Sequence, residues 1–231
     1  MAHWSHKQFE AEAWDYFSKE LDCDVLLFQE SSPNLEILNA DHLVWNAIGG
    51  TRSWGSGVYS ENQKIKEVSF ENKFFGAVTA AEIDVKSDFK LVVISVYGLM
   101  EKILNVSYAI PNLHRIFSDL TGLLEGRDTR HRIVLGGDLN ASVQIDAQQV
   151  GNSHQVFFDR LREFGLVNCF DNYFDTFVQT HRHRQSDKPW QNDYFFISKK
   201  LESHLVDCSV VDDEKVRKFS DHNPVVIEME L

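Results

Sequence analysis

The chain has 231 residues, 43% hydrophobic and 25% charged, with 35 acidic against 23 basic side chains and a net charge of −12. A chain of this length and composition can bury a sizeable core, and its acidity argues against a protein that coats nucleic acid without sequence preference. An enzyme acting on nucleic acid is not excluded, because a bound divalent cation and a local basic patch can offset charge at a site.

From Lys7 to Leu21, Phe9, Ala13 and Phe17 step by four, with Trp14 and Leu21 extending the stripe, which predicts an amphipathic helix packed on a core. Val25 to Phe28 is a continuous apolar run, the mark of a strand covered on both faces, and it ends in Gln29-Glu30. A carboxylate there is either a metal ligand or the first solvated residue of the strand. A short strand follows around Leu43 to Ala47. Gly49 to Gly57, with four glycines beside Arg52 and Trp54, reads as a loop. Further strands are predicted over Gly57–Ser60, Ile65–Phe70, Gly76–Val85 and Lys90–Tyr97, the last ending in an aromatic hydroxyl. Pro111 to Leu124 has helical apolar spacing. The charged run Arg127 to Arg132 reads as a solvated turn.

Ile133 to Ser142 (Ile-Val-Leu-Gly-Gly-Asp-Leu-Asn-Ala-Ser) carries the most chemistry. Three branched apolar residues run into two glycines, then Asp138 and Asn140. Two apart on an extended segment, these side chains point the same way. A proton acceptor beside a neutral donor suits a site that aims water at phosphorus and holds the resulting charged oxygens. The same residues would also make a plain Asx turn.

Ser153 is the expected N-cap of a helix through Phe157, Leu161 and Phe164 that stops at Gly165. Leu166 to Phe177 is aromatic-rich and predicted to pack on the core. Gln179 to Gln191 is a basic segment in an otherwise acidic chain, with Arg182 and Arg184 as candidates to meet phosphate oxygens and Trp190 as a stacking or packing surface. A solvated loop is the other reading, and His181 with His183 is too small a set for a metal site. Asn192 to Ser198, Leu205 to Val211 and Val225 to Met229 are the remaining strands. Ser220-Asp221-His222-Asn223-Pro224 places a histidine beside an acid just before the last of them.

Cys23, Cys169 and Cys208 are odd in number and far apart, so they read as reduced thiols of a cytoplasmic protein. No apolar run reaches the roughly 18 residues of a membrane span, the N-terminus has no secretory apolar region, and no linker divides the chain. One domain over residues 1–231 and a monomer are expected.

Taken in order, the strand ending in Gln29-Glu30, the strand ending in Tyr97, Gly-Asp-Leu-Asn at 137 to 140, Asn-Asp-Tyr at 192 to 194 and Ser-Asp-His-Asn-Pro at 220 to 224 resemble the endonuclease/exonuclease/phosphatase superfamily, of the deoxyribonuclease I type. The resemblance implies an α/β fold, a four-layer α/β/β/α sandwich of two mixed β-sheets flanked by helices. It implies Glu30 as ligand of a divalent metal, Mg²⁺ or alternatively Mn²⁺, with Asp221 as a second-site ligand. It implies that Asp138 activates water, Asn140 fixes water and phosphate, Tyr97 donates to a phosphate oxygen, and His222 contacts phosphate with Asp193 orienting its ring. Asp193 is expected to raise the histidine's pKa. Members of the superfamily open on a strand ending in Trp-Asn. Met1-Ala2-His3-Trp4 resembles the residues just after that Asn, so the first strand and one metal-site residue are expected to be missing, with loss of stability and metal affinity.

The function these readings imply is divalent-metal-dependent phosphodiester hydrolysis, as a nuclease on DNA or RNA. A phosphatase on small phosphorylated molecules and a non-catalytic scaffold are the alternatives. Steep salt dependence would mark the nuclease.

Overall fold

The computed structural model describes residues 9–50, 52–86, 89–103, 106–148 and 150–231; the expectation resting on Met1 to Trp4 lies outside them. The first helical stripe forms α1 (Glu10–Asp15), which continues as a π-helical turn over Tyr16–Glu20. Its Trp14 is buried edge-on against Phe28, ring centroids 4.9 Å apart, and its indole N–H donates to the Ser32 carbonyl at 3.0 Å.

The strands β1 (Val25–Ser31), β2 (Leu43–Gly49) and β3 (Arg52–Ser60) form the first sheet, in the order β1-β3-β2. Its pairings among the described residues are antiparallel. Only positions 50 and 51 separate β2 from β3 in the sequence, and so short a link suits antiparallel pairing. β3 corrects the loop expected over Gly49–Gly57. Among the described residues, Gly49 ends β2 and Gly50 turns, both at positive φ. Gly55 and Gly57 sit inside the sheet, where a Cβ would collide with the Asn46 carbonyl and the Phe28 ring respectively. Close approach, rather than chain reversal, accounts for these glycines.

The second sheet has six strands: β4 (Ile65–Glu67), shorter than expected, β5 (Val78–Lys86), β6 (Phe89–Val96), β9 (Ile133–Asp138), β10 (Leu166–Asn168) and β11 (Asp193–Ser198), in the order β10-β11-β9-β6-β5-β4. Only β6 and β9 run parallel. Between them the chain makes the small hairpin β7 (Glu101–Ile103) and β8 (Val106–Tyr108), then α2 (Ile110–Asp119) and α3 (Thr121–Leu124), which supply the crossover that parallel pairing requires. The two sheets pack face to face. Gln29 of β1 donates to Ser95 Oγ of β6 at 2.8 Å, and Ser56 of β3 meets Thr79 of β5 at 3.0 Å.

After α4 (Val143–Asp146) comes α5 (Ser153–Glu163), which packs beside α2 on the second sheet. Ser153 is not its N-cap. Asn152 holds that position without a side-chain bond, and the Asp146 carboxylate accepts the His154 and Gln155 N–H groups at 3.2 and 2.7 Å. A charged acceptor from the preceding helix thus satisfies the free donors. Phe170 is buried as expected, while Phe177 is 45% exposed. The chain ends with β12 (Leu205–Val210), α6 (Glu214–Phe219), capped by Asp213 Oδ1 on the Val216 N–H at 2.7 Å, and β13 (Val225–Met229). β12 and β13 pair antiparallel. The outcome is an α/β molecule in which two main sheets stack between helices, with Ile94, Ile133, Leu135, Leu113 and Phe157 buried in its core. No helix among the described residues is long and apolar enough to cross a membrane.

Candidate active site

β9 ends where β11 begins, and Asp138 and Asp193 stand directly opposite each other in that pair. Opposed residues of an antiparallel pair share a face, so two carboxylates meet and repel. His222, from the loop before β13, resolves the conflict. Its Nδ1 lies 2.8 Å from Asp193 Oδ2 and its Nε2 4.0 Å from Asp138 Oδ2. Burial alone would discharge this imidazole. The two carboxylates outweigh burial and raise its pKa to about 9. Asp138 is pushed up to about 7, by burial first and then by the charges of Asp193 and Glu30, against the pull of His222. Asp193 is held below the usual carboxylate range: burial opposes this, but the His222 charge and hydrogen bonds from His222 and Thr180 prevail. Asp193 is therefore a fixed counter-ion, and Asp138 an acceptor poised near neutrality.

Asn140 closes the other side of Asp138. Its N–H donates to Asp138 Oδ1 at 2.9 Å, and its amide to Asp138 Oδ2 at 3.1 Å and the Gly98 carbonyl at 3.2 Å. The Asx turn and the paired acid–amide constellation thus coexist. The turn needs Asn140 at φ +48° and Gly137 at φ +142°, and a Cβ on Gly137 would strike the Val96 carbonyl.

The opposite part of the rim belongs to β1 and β6. Glu30 sits at φ +51° where the β1–β3 register slips. Tyr97, the residue after β6, donates its hydroxyl to Glu30 Oε1 at 2.5 Å, and the Trp54 ring stands edge-on to it at 5.5 Å. The Tyr97 hydroxyl is thus directed at the carboxylate. Gln29, beside Glu30, accepts the Asp138 N–H at 3.4 Å.

The basic segment divides. Its first part runs between Trp190 and the His222 loop. The His181 N–H donates to the Trp190 carbonyl at 2.9 Å, the Arg182 N–H to the Asp221 carbonyl at 2.8 Å, and the Asn223 N–H to the Thr180 carbonyl at 2.7 Å. Thr180 Oγ1 accepts the backbone N–H groups of Asn192 and Asp193 at 2.9 and 3.0 Å. The Arg182 guanidinium turns to the Ser220 carbonyl and lies 3.6 Å from Asp212, so it ties two loops together. Arg184 is exposed. Trp190 is partly buried, its indole N–H on Ser186 Oγ at 3.2 Å and the Lys188 ammonium 5.7 Å over its ring. His181 stacks on His222 with centroids 4.5 Å apart and planes 24° from parallel. Its pKa is pushed down to about 4, by burial and then by the His222 charge. Thr180, Gln29 and Asn192 escaped the sequence reading as site residues, with adjacency of Gln29 to Glu30 and of Asn192 to Asp193 as signal, while His181 was weighed only with His183 as a metal pair.

Among the described residues, Asp138, Asp193 and His222 each offer a metal-ligand atom within 4.8 Å of one another. A doubly protonated imidazole has no lone pair for an ion, so this trio suits proton handling better. Asp221 Oδ1 is buried with no hydrogen-bond partner, a rare state for a carboxylate oxygen.

Residues 11–222 match the Endonuclease/Exonuclease/phosphatase family. None of the curated proteins matches the chain in sequence. Among solved structures, the chain is similar to a Neisseria 3′ phosphatase, NExo, bound to a product DNA hairpin (18% identity, 98% of this chain and 96% of that one, TM-score 0.74). It is similar to an AP endonuclease from Archaeoglobus fulgidus (20% identity, 100% and 94%, TM-score 0.70). It is also similar to TDP2 of D. rerio complexed with a single-strand DNA product (14% identity, 97% and 92%, TM-score 0.61).

Proposed function

This chain belongs to the endonuclease/exonuclease/phosphatase family, a superfamily of metal-dependent phosphoesterases, and from that premise we propose that it hydrolyses phosphodiester bonds of nucleic acid. The carrying observation is the ladder Asp138–His222–Asp193 with Asn140 on its flank. Asp138 accepts a proton from the attacking water. Asn140 fixes the direction of that carboxylate. His222, kept as imidazolium by Asp193, neutralises charge that develops on the phosphoryl oxygens. Tyr97 holds Glu30 in place. Glu30 and Asp221 would hold a divalent ion, Mg²⁺ by the hardness of their oxygens, with Mn²⁺ as substitute. Such an ion polarises phosphoryl oxygens. Arg184 and Trp190 are the proposed contacts with the phosphate backbone and a base. Arg182 supports their loop from behind.

The net charge of −12 favours a second reading, a phosphatase acting on a small phosphorylated molecule. One assay separates them. The chain is incubated with supercoiled plasmid and with a chromogenic phosphodiester, in Mg²⁺, Mn²⁺ or EDTA, beside His222→Ala and Asp138→Ala. Metal-dependent nicking that both substitutions abolish, and that weakens steeply with salt, is expected. Hydrolysis of the small ester alone, without salt dependence, would overturn the nucleic-acid reading.

A further inference from the structure

The ring stack beside the ladder carries a role of its own. His222 has one short hydrogen bond, from Nδ1 to Asp193 at 2.8 Å. A single bond fixes the direction of an imidazole but lets the ring roll about it, and rolling carries Nε2 away from its target. A surface against the ring face restrains that motion. His181 supplies one, 4.5 Å away and within 24° of parallel.

That surface is itself anchored. The His181 N–H is bonded to the Trp190 carbonyl at 2.9 Å, and its ring Nδ1 lies 3.2 Å from the Asn192 amide. The Asn192 N–H is bonded in turn to Thr180 Oγ1 at 2.9 Å, and His183 stands edge-on at 5.8 Å. Residues 181 and 222 also pair as an isolated β-bridge, so the two Cα positions are tied together as well as the two rings. An imidazole bound on its backbone, at its nitrogen and on its edge is a wall rather than a loose neighbour.

We propose that His181 is a positioning residue for His222, its ring face setting the plane in which the catalytic imidazole presents Nε2. The catalytic part of this inference rests on the phosphoesterase reading above, while the stack itself can be tested without it.

The test uses the full chain with His181→Ala, which removes the face, and His181→Phe, which restores a flat one. The Hε1 and Hδ2 proton resonances of His222, assigned by their loss in His222→Gln, read the stack directly through the ring current of residue 181. They are expected to move in His181→Ala and to return toward the wild-type position in His181→Phe. Identical His222 resonances in wild type and His181→Ala would overturn the proposal, whatever the activity. With a hydrolysable diester, His181→Ala is expected to lower kcat by about tenfold or more with KM within about twofold, because misorientation costs the transition state rather than binding. His181→Phe is expected to recover most of the lost kcat. A rise in KM alone would make His181 a substrate contact, and equal damage in Ala and Phe would show that a ring nitrogen is used; either result overturns positioning. If His181→Ala does not fold, His181→Leu fills the volume without a ring and takes its place. Chemical shifts that behave as expected in a chain without hydrolytic activity would refute the phosphoesterase reading and leave the stack standing.

Discussion

At the ends of β9 and β11, each charged group faces another: Asp193 and Asp138 hold His222 between them, and Asn140 bonds both oxygens of Asp138. Along residues 179–191, neighbours of like charge diverge. Arg182 is turned inward to Ser220 and Asp212, whereas Arg184, two positions on, is exposed. Both regions are dense in charge, but only in the first do the strand ends dictate where each charge goes. A basic run in a sequence is therefore not yet a basic surface.

The strongest way to break this contrast is to remove a member of the ladder. His222→Gln or Asp138→Asn should lower kcat by about a thousandfold while circular dichroism stays unchanged, because each removes a group that acts at the transition state. A tenfold loss or less would show that the ladder is structural. Asp193→Asn is expected to cost about a hundredfold in kcat, because the imidazolium loses its fixed counter-ion. The same change should lower the His222 pKa below its present value of about 9, which a histidine titration followed by NMR would record.

The wild-type pH profile sharpens the picture. Asp138 accepts a proton only when ionised, so activity should rise with pH through about 7. His222 is cationic only below its raised pKa, so activity should fall through about 9. A profile that is flat across this window would contradict both assignments. The smallest effects belong to the basic segment. Arg182→Ala should destabilise the fold by about 1–2 kcal/mol, since the buried Ser220 carbonyl loses a charged donor. Arg184→Ala should stay within about 0.5 kcal/mol in denaturant unfolding and instead reduce the salt slope of nucleic-acid binding by about one. Equal destabilisation by both would erase the division of the segment.

The strands were legible because Val25–Phe28, Leu91–Ile94 and Ile133–Leu135 are unbroken apolar runs, although Val25 to Leu27 are only half-buried, and a polar side chain two or three residues past such a run falls at the strand end. Glu30, Tyr97 and Asp138 are found there for that reason. β3 was hidden because glycine ordinarily signals a turn, whereas Gly55 and Gly57 answer to Asn46 and Phe28 on neighbouring strands. Which arginine of 182 and 184 turns inward was not readable, since the deciding carbonyl, Ser220, is remote in the chain. Nor was the meeting of His181 with His222, which depends on a bridge between two segments far apart in sequence.

Glu30 and Asn140 both hold left-handed backbone with a side chain attached, at φ +51° and +48°. Each such residue costs roughly 1 kcal/mol, more for Glu than for Asn, and a glycine would relieve it. Under selection for stability alone, both positions would therefore drift toward glycine and the molecule would grow sturdier as it lost its chemistry. Glycine at either position would ease the backbone and delete the side chain, so the occupants of these two sites in related genes would report which of the two demands prevails.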